Sequence, residues 1–333
     1  MKAFIVKKYG KKETLHLTEV NIPTIKENEV LVQIHSAGVN LLDSLIRNGE
    51  FKLFLPYKTP FVNGHDMAGV VTKVGSNVTK YSVGDEVYSR VGDFGIGTFA
   101  EYIAVNEKDL ALKPKNISME EAASIPLVGL TSWQALVEIA NLKKDQKVFI
   151  QAGSGGVGTF AIQLAKHLGA FVATTTSSAN TDLVKSLGAD LVIDYKTQDF
   201  ETILKNYDLV LNSQDLKTLE KSMKVLKLAG KAISISGPPD VDYANEHGFN
   251  WLLKNVMRLL SFKIKKLAKK LHIHYSFLFM KPDGKQLSEI TALIEAEIIR
   301  PVVDKVFPFA ETNEAMSYVE AGRTKGKAIV KVK

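Results

Sequence analysis

The sequence predicts an α/β protein that joins a doubly wound parallel sheet to a second, β-rich unit, and three observations predict it. Short alternating strands punctuated by Gly and Asn fill residues 1–110, strand runs alternate with helices from Lys147 onward, and a glycine-rich turn opens the first of those helices. In order, AFIV, EVLVQIHSAGVN, GVVTKVG and GDEVYSR read as strands, and VGSNVTKYSVGDEV as the turns of a barrel-like unit with little room for helices. At Ser118 the pattern changes: a Ser N-cap precedes the acids of SMEEAA, and TSWQALVEIANL follows at helical spacing.

KVFIQA is then a short apolar strand, TFAIQLAKHLG a helix, AFVATTT a strand and TDLVKSLG a helix, with DLVIDY, YDLVLNS and GKAISIS as further strands. That alternation implies parallel strands joined by crossover helices. HYSFLFM reads as a strand, His272 and His274 alternate on the strand that follows the basic segment and so share a face, and QLSEITALIEAEII reads as a helix. The closing VEAGRTKGKAIVKVK has the β character of the beginning, so the last piece is expected to rejoin the first unit. No internal repeat is present.

Composition narrows the function. At 333 residues, with 45% hydrophobic and 24% charged residues, the chain is long enough for two buried cores and shows no disordered bias. It holds no cysteine, so disulfides, thiolate catalysis and sulfur-ligated metals are excluded. MKAFIVKKYG lacks an apolar export core, and no stretch reaches about 18 uninterrupted apolar residues, which predicts a soluble, cytoplasmic protein. The net charge of +7 is local: residues 249–271 carry seven basic side chains and no acid, leaving the rest balanced, so nucleic acid is not an expected partner.

The glycines Gly153, Gly155 and Gly158 of AGSGGVGTF have G-x-G-x-x-G spacing, after a strand and before a helix with small residues. The first permits a tight turn, the second lets backbone approach a pyrophosphate, and the third lets helix pack on strand, as in the Rossmann dinucleotide site. Ser154, Gly156 and Val157 complete the loop, whose phosphates would sit at a helix N-terminus. About 20 residues beyond the first glycine, an NAD-preferring site places an acid. Here Thr174, Thr175, Thr176, Ser177 and Ser178 stand instead, and hydroxyls without a carboxylate suit a 2′-phosphate, so NADPH is the expected cofactor.

With these motifs in place the chain resembles the zinc-independent quinone oxidoreductase and alkenal/enone reductase branch of the medium-chain dehydrogenases/reductases. AGVNLLD (residues 37–43), PFVNGHDMAGVV (60–71), IPLVGLTSWQAL (125–136), AGSGGVG and LGADLVIDY (187–195) carry the resemblance in family order. It implies a GroES-like substrate domain of residues 1–121 and 283–333, a Rossmann domain of residues 122–282, a substrate cleft between them, and a homodimer joined through HYSFLFM. It further implies cofactor contacts at Asn40, Thr131, Gly156, Val157, Ser177, Asn180 and Tyr195, with Ser236 and Phe277, Leu278 and Phe279 on later loops over the nicotinamide. Two positions depart from the family pattern: Asn180 where NADPH-using relatives often have lysine, and Asn212-Ser213-Gln214-Asp215 where Gly-Gly is common.

The chemistry expected is metal-independent hydride transfer to a small electrophilic carbonyl compound, a quinone, alkenal or enone, with protein dipoles stabilising the oxyanion. Asn40 is the candidate amide donor and Asp43 the residue that fixes its loop. Tyr57 is either a substrate-side proton donor or a packing tyrosine, and water is an alternative proton source. Gly64-His65-Asp66 resembles the segment that carries the zinc-binding histidine of zinc alcohol dehydrogenases, so His65 is either a hydrogen-bonded structural residue or a ligand; without cysteine, a zinc alcohol dehydrogenase is disfavoured. A cofactor-binding redox sensor or membrane-surface adaptor with little turnover is the rival from another class.

Leu253, Val256, Met257, Leu260, Ile264, Leu267, Ala268 and Leu271 form an apolar stripe beside the lysines of 249–271. That segment is expected to be an amphipathic helix. It either packs its stripe on the cofactor domain, lies weakly on an anionic membrane or acidic partner, or draws phosphate toward the cofactor.

Overall fold

The structure is a computed structural model that describes residues 1–53, 55–246 and 248–333. The chain divides into two compact units, residues 1–130 with 281–333, and residues 131–280.

The first unit opens with β1 (Lys2–Val6), which pairs antiparallel with β2 (His16–Glu19). β3 (Glu29–Val39) follows, its Val30, Val32 and Ile34 buried at the two-residue period of a strand. After it comes a helix that the strand-rich reading of this region did not anticipate, α1 (Leu41–Asn48). Its start is chemical: the Asp43 carboxylate accepts from the Asn40 N–H at 2.7 Å, half of a capping box, and Gly49 ends the helix at φ 85°.

β4 (Phe61–Val62) joins β1, while β5 (Asp66–Val74), β6 (Glu86–Arg90), β7 (Tyr102–Asn106) and β8 (Leu110–Leu112) extend the antiparallel network around β3. One core gathers Val30, Val32, Ile34, Met67, Val71 and Val87. α2 (Met119–Ala123) is capped by Ser118, as the sequence predicts, and α3 (Pro126–Trp133) begins five residues before the predicted TSWQAL helix and continues into a π-helical stretch over Gln134–Ile139.

The second unit is a six-stranded, wholly parallel sheet: β9 (Lys147–Ile150), β10 (Phe171–Thr176), β11 (Leu191–Asp194), β12 (Tyr207–Asn212), β13 (Leu226–Ser234) and β14 (His274–Phe277). Their spatial order is β11-β10-β9-β12-β13-β14. Read as 3-2-1-4-5-6, this is the doubly wound Rossmann order, with its switch point between β9 and β12. The crossovers are α4 (Gly156–His167), α5 (Thr181–Ser186), α6 (Phe200–Ile203) and α7 (Leu216–Met223), followed after β13 by α8 (Val241–Glu246) and α9 (Trp251–Leu271).

Two details correct the sequence reading here. His272 is not on the strand: it is the left-handed residue, φ 53°, that ends α9. On α9 the buried line is Met257, Ser261, Ile264 and Ala268, and Leu260 is exposed, because it stands one residue, about 100°, away from that line.

The chain then returns to the first unit through α10 (Gly284–Glu295), β15 (Val303–Pro308), α11 (Thr312–Glu320) and β16 (Lys327–Lys331). β16 lies between β15, to which it is parallel, and β3, to which it is antiparallel.

Candidate active site

In the second unit the glycine loop leaves β9 at the topological switch point. Two of its glycines are required by the fold itself. A Cβ on Gly153 would collide with Thr174, and one on Gly158 would press on Ala152 and on the backbone of Gly153 at 2.6 Å. Gly155 differs: a Cβ there meets only the Ala152 carbonyl oxygen, at an ordinary 3.4 Å. The chain leaves this space unfilled beside the first turn of α4, whose N-cap is Gly155, a residue without a side chain to cap the helix. The N–H groups of Gly156, Val157 and Gly158 open that helix, where no acid stands. Backbone donors, a positive helix end and space kept clear by glycine fit a pyrophosphate.

The tip of β10 lies beside this loop. Thr174 donates to the Ile150 carbonyl at 2.7 Å, the Ala152 N–H donates to the Thr175 hydroxyl at 3.1 Å, and Thr176 donates to the Ser154 hydroxyl at 3.0 Å. Asn180 donates to Ser154 at 3.3 Å and to Ser177 at 3.4 Å, and its buried Oδ1 has no partner among the described residues. Ser154, Thr176, Ser177 and Asn180 are therefore one cluster of neutral polar groups. Asp194, the neighbour of Thr176 across the β10–β11 register, accepts from the Lys196 N–H at 3.0 Å. Tyr195 is exposed, and its N–H donates to the Thr176 carbonyl.

The remaining predicted contacts of this unit lie on α3, just after β13 and at the end of β14. Thr131 is buried on α3, whose Ser132 hydroxyl donates to the Val157 carbonyl at 3.5 Å. Ser236 donates to the Gln214 carbonyl at 2.6 Å. Tyr243 meets Phe277 edge-on at 5.2 Å and Phe279 at 6.4 Å, while Leu278 between the two phenylalanines is buried, its N–H donating to the Ser234 carbonyl.

The Asn212–Asp215 departure from the family pattern also has a physical account. Asn212 is fully buried, donates to Gln151 at 2.6 Å and accepts from Ser234 at 2.6 Å, while Gln151 in turn donates to Ser222. Asp215 caps α7 through the Thr218 N–H at 2.7 Å. This polar row ties together the carboxyl ends of β9, β12 and β13.

The first unit holds a buried charged cluster, and sequence reasoning found only part of it. Asn40 donates to Asp66 at 3.0 Å and, more loosely, to the Gly38 carbonyl at 3.4 Å; its Oδ1 accepts from Lys327. Lys327 also pairs with Asp66 at 3.3 Å, and Asp66 accepts from the Leu127 N–H at 2.9 Å. Because Lys327 can only donate, it fixes which end of the Asn40 amide faces Asp66. Burial pushes the Asp66 carboxyl above its ordinary range, with Lys327 acting in the opposite direction. Lys327 is 287 residues from Asn40 in the chain, and only its place in the apolar run KAIVK, next to Gly326, sets it apart from the other lysines.

Asp43 holds this cluster's edge. One of its oxygens accepts from the Asn40 N–H and the other meets His65 Nδ1 at 2.5 Å. His65 is fully buried, so its near nitrogen is committed to Asp43. Tyr57 is half-buried, lies tilted against Phe61 at 5.0 Å and donates to the Asp93 carbonyl at 2.5 Å. Burial, then the nearby Asp93 charge, push its hydroxyl well above the ordinary tyrosine range, so this group gives up its proton reluctantly.

Comparison with known proteins places the chain. Residues 26–115 match the description Alcohol dehydrogenase GroES-like domain, and residues 187–330 match Zinc-binding dehydrogenase. The mitochondrial NAD(P)H oxidoreductase RTN4IP1 of Danio rerio is 34% identical, covering 100% of this chain and 91% of its own length. The chloroplastic NADPH-dependent alkenal/one oxidoreductase of Arabidopsis thaliana is 35% identical over 99% of this chain and 79% of its own length. Among solved structures, the quinone oxidoreductase from Coxiella burnetii superposes with a TM-score of 0.88 at 28% identity, covering 100% of this chain and 99% of that one.

The zinc of the matched description does not suit the donors present. Among the described residues no three His, Asp or Glu side chains gather as a metal would require, there is no cysteine, and His65 is held by Asp43. With its Rossmann strand order, its GroES-like match and relatives that span its whole length, the chain belongs to the medium-chain dehydrogenase/reductase family, in the quinone and alkenal/enone reductase-like branch.

Proposed function

We infer that this protein is an NADPH-dependent oxidoreductase that reduces a small electrophilic carbonyl compound, a quinone, alkenal or enone, without a metal. NADPH, when bound, supplies the hydride. Gly155, Gly156, Val157 and Gly158 would hold its pyrophosphate, and Ser154, Thr176, Ser177 and Asn180 its 2′-phosphate. The observation that carries the reading is the space at Gly155, which nothing in the chain requires, beside a neutral hydroxyl and amide cluster at the tip of β10.

The residues of the first unit supply orientation and donors. Lys327 and Asp66 lock the Asn40 amide in one orientation, and its second hydrogen is held only by the long 3.4 Å contact to the Gly38 carbonyl. A substrate oxygen competes for that hydrogen on favourable terms, and negative charge on such an oxygen is stabilised by the donor. Tyr57 is assigned to packing rather than proton transfer, since its hydroxyl hydrogen is engaged and strongly retained. The proton that completes the reduction then comes from solvent. The outer edge of β14, last in the six-strand order, is our candidate for a homodimer contact.

The test is to titrate the purified, metal-free protein with NADPH, then to add a simple quinone and, separately, an α,β-unsaturated ketone while following nicotinamide absorbance. Multiple turnovers with chelator present support the reading and sort the substrate class. Tight NADPH binding with no turnover on either compound refutes it in favour of a sensor.

A further inference from the structure

α9 carries an outward face that the cofactor site does not use. Trp251, Leu252, Leu259, Leu260 and Phe262 are each more than half exposed, whereas every other helix or strand among the described residues carries at most one large exposed hydrophobic side chain. At about 100° per residue, Trp251, Leu252, Leu259 and Phe262 share one arc, opposite the buried line of Met257, Ser261, Ile264 and Ala268. Lys266, Lys269 and Lys270 continue that arc toward the helix C-terminus. The same face thus carries these four apolar side chains over residues 251–262, with Asn255 and Arg258 beside them bonded to each other at 2.8 Å, and is cationic over 266–270.

The cations of this helix fall into two groups. Lys265 is anchored to Asp240 at 2.6 Å and to Asp242 at 2.8 Å, and Lys263 to Glu220 at 2.6 Å. Lys254, Arg258, Lys266, Lys269 and Lys270 make no ion pair among the described residues, Arg258 donating instead to the neutral Asn255 at 2.8 Å, and residues 249–271 contain no acid. The anchored lysines fasten α9 to its unit; Lys266, Lys269 and Lys270 present uncompensated charge on the face that also exposes tryptophan, leucine and phenylalanine.

We propose that α9 docks the protein on an anionic lipid bilayer, lying in the interface with Trp251, Leu259 and Phe262 inserted and Lys266, Lys269 and Lys270 on headgroup phosphates. The charge pattern selects this occupant. Protein interfaces are depleted in lysine, and a two-fold contact with a second copy would bring the same uncompensated cations together twice with no acid between them. A purely electrostatic partner leaves the exposed aromatic and leucine side chains without a role. At the lipid interface tryptophan sits at headgroup level, and lysine stems lie along apolar surface with their charges in the phosphate layer. No helix of the described residues is long and apolar enough to cross a membrane, so the contact is peripheral.

The inference is independent of the reductase reading and is tested without cofactor. The full chain is sedimented with phosphatidylcholine vesicles and with phosphatidylcholine–phosphatidylglycerol vesicles, at low and at raised salt. Binding is expected to the anionic vesicles only, weakening with salt, and falling at least 10-fold in Leu259→Glu/Phe262→Glu and in Lys266→Glu/Lys269→Glu/Lys270→Glu. In a Trp133→Phe background, which leaves Trp251 as the only tryptophan, emission should shift to the blue on binding. Far-UV circular dichroism and melting of each variant, the Trp133→Phe background included, control for folding, which the exposed α9 positions should spare. Three results overturn the proposal: no binding to anionic vesicles at low salt, binding that survives Leu259→Glu/Phe262→Glu, or a wild-type dimer that this double variant converts to monomer.

Discussion

Replacing Lys327 by methionine keeps the length of the side chain and removes its charge. In the folded protein Lys327 meets Asn40 and Asp66, and Asp66 is fully buried. The variant therefore leaves a buried carboxylate without its cation and the Asn40 Oδ1 without its donor. Breaking a buried pair from one side costs about 3–5 kcal/mol. At about 2–4 °C per kcal/mol for a unit of this size, the first unit should melt roughly 6–20 °C lower at pH 7.

The pH dependence carries the sharper signature. The Asp66 carboxyl is already raised in the folded state, so between its unfolded and folded pKa the folded protein binds more protons, and stability falls as pH rises through the folded value. Loss of Lys327 raises that value further. The deficit of the variant should thus shrink as pH is lowered through the folded value toward the unfolded carboxylate range, and Asp66→Asn combined with Lys327→Met should recover a large part of it. Calorimetric melts of wild type, both single variants and the double variant at several pH values form the assay. A Lys327→Met variant within 0.5 kcal/mol of wild type, or a deficit that does not change with pH, would refute the argument that this pair is electrostatically coupled in the interior.

Three other predictions follow from the geometry of the site. Gly155→Ala should leave stability within about 0.5–1 kcal/mol of wild type while weakening NADPH at least 10-fold, whereas Gly158→Ala should destabilise by about 1–3 kcal/mol through overpacking; a fluorescence titration and a melt separate the two. Ser177→Asp sets a carboxylate in the Ser154–Asn180 cluster and should lower the preference for NADPH over NADH about 10-fold, read as the ratio of the two dissociation constants. Tyr57→Phe removes the bond to the Asp93 carbonyl and should cost about 0.5–1.5 kcal/mol of stability, with turnover changed less than 3-fold and the pH–rate profile unmoved; a lost pH limb would restore Tyr57 as proton donor.

Much of the fold was readable because its signals are local. Strand period, helix spacing and the glycine turn each occupy fewer than about a dozen residues, which is why the parallel sheet and the switch-point loop follow from text alone. α1 was missed although its Asn-x-x-Asp capping pattern was present, because eight residues between strands give too little periodicity to outweigh a strand-rich context. The displaced stripe of α9 has a related cause. Leu260 fits a helical period, but which line is buried is decided by what the helix packs on, and the small Ser261 faces inward in its place. Lys327 was illegible for a different reason: one lysine among many acquires meaning only when the topology carries β16 alongside β3 and brings it to Asn40 and Asp66.

That arrangement of β16 has a consequence for how the molecule comes into being. Residues 131–280 can complete their sheet from one continuous stretch of chain, while the first unit needs residues 281–333 to supply β15, β16 and the lysine that neutralises Asp66. During synthesis from the N-terminus, the nucleotide-binding half is finished while the other half still has β3 without its β16 neighbour and a carboxylate awaiting its cation. Closure of the first unit spans a gap of nearly the whole chain, so its assembly is the slow event, and an exposed β3 edge is the vulnerable state until it occurs.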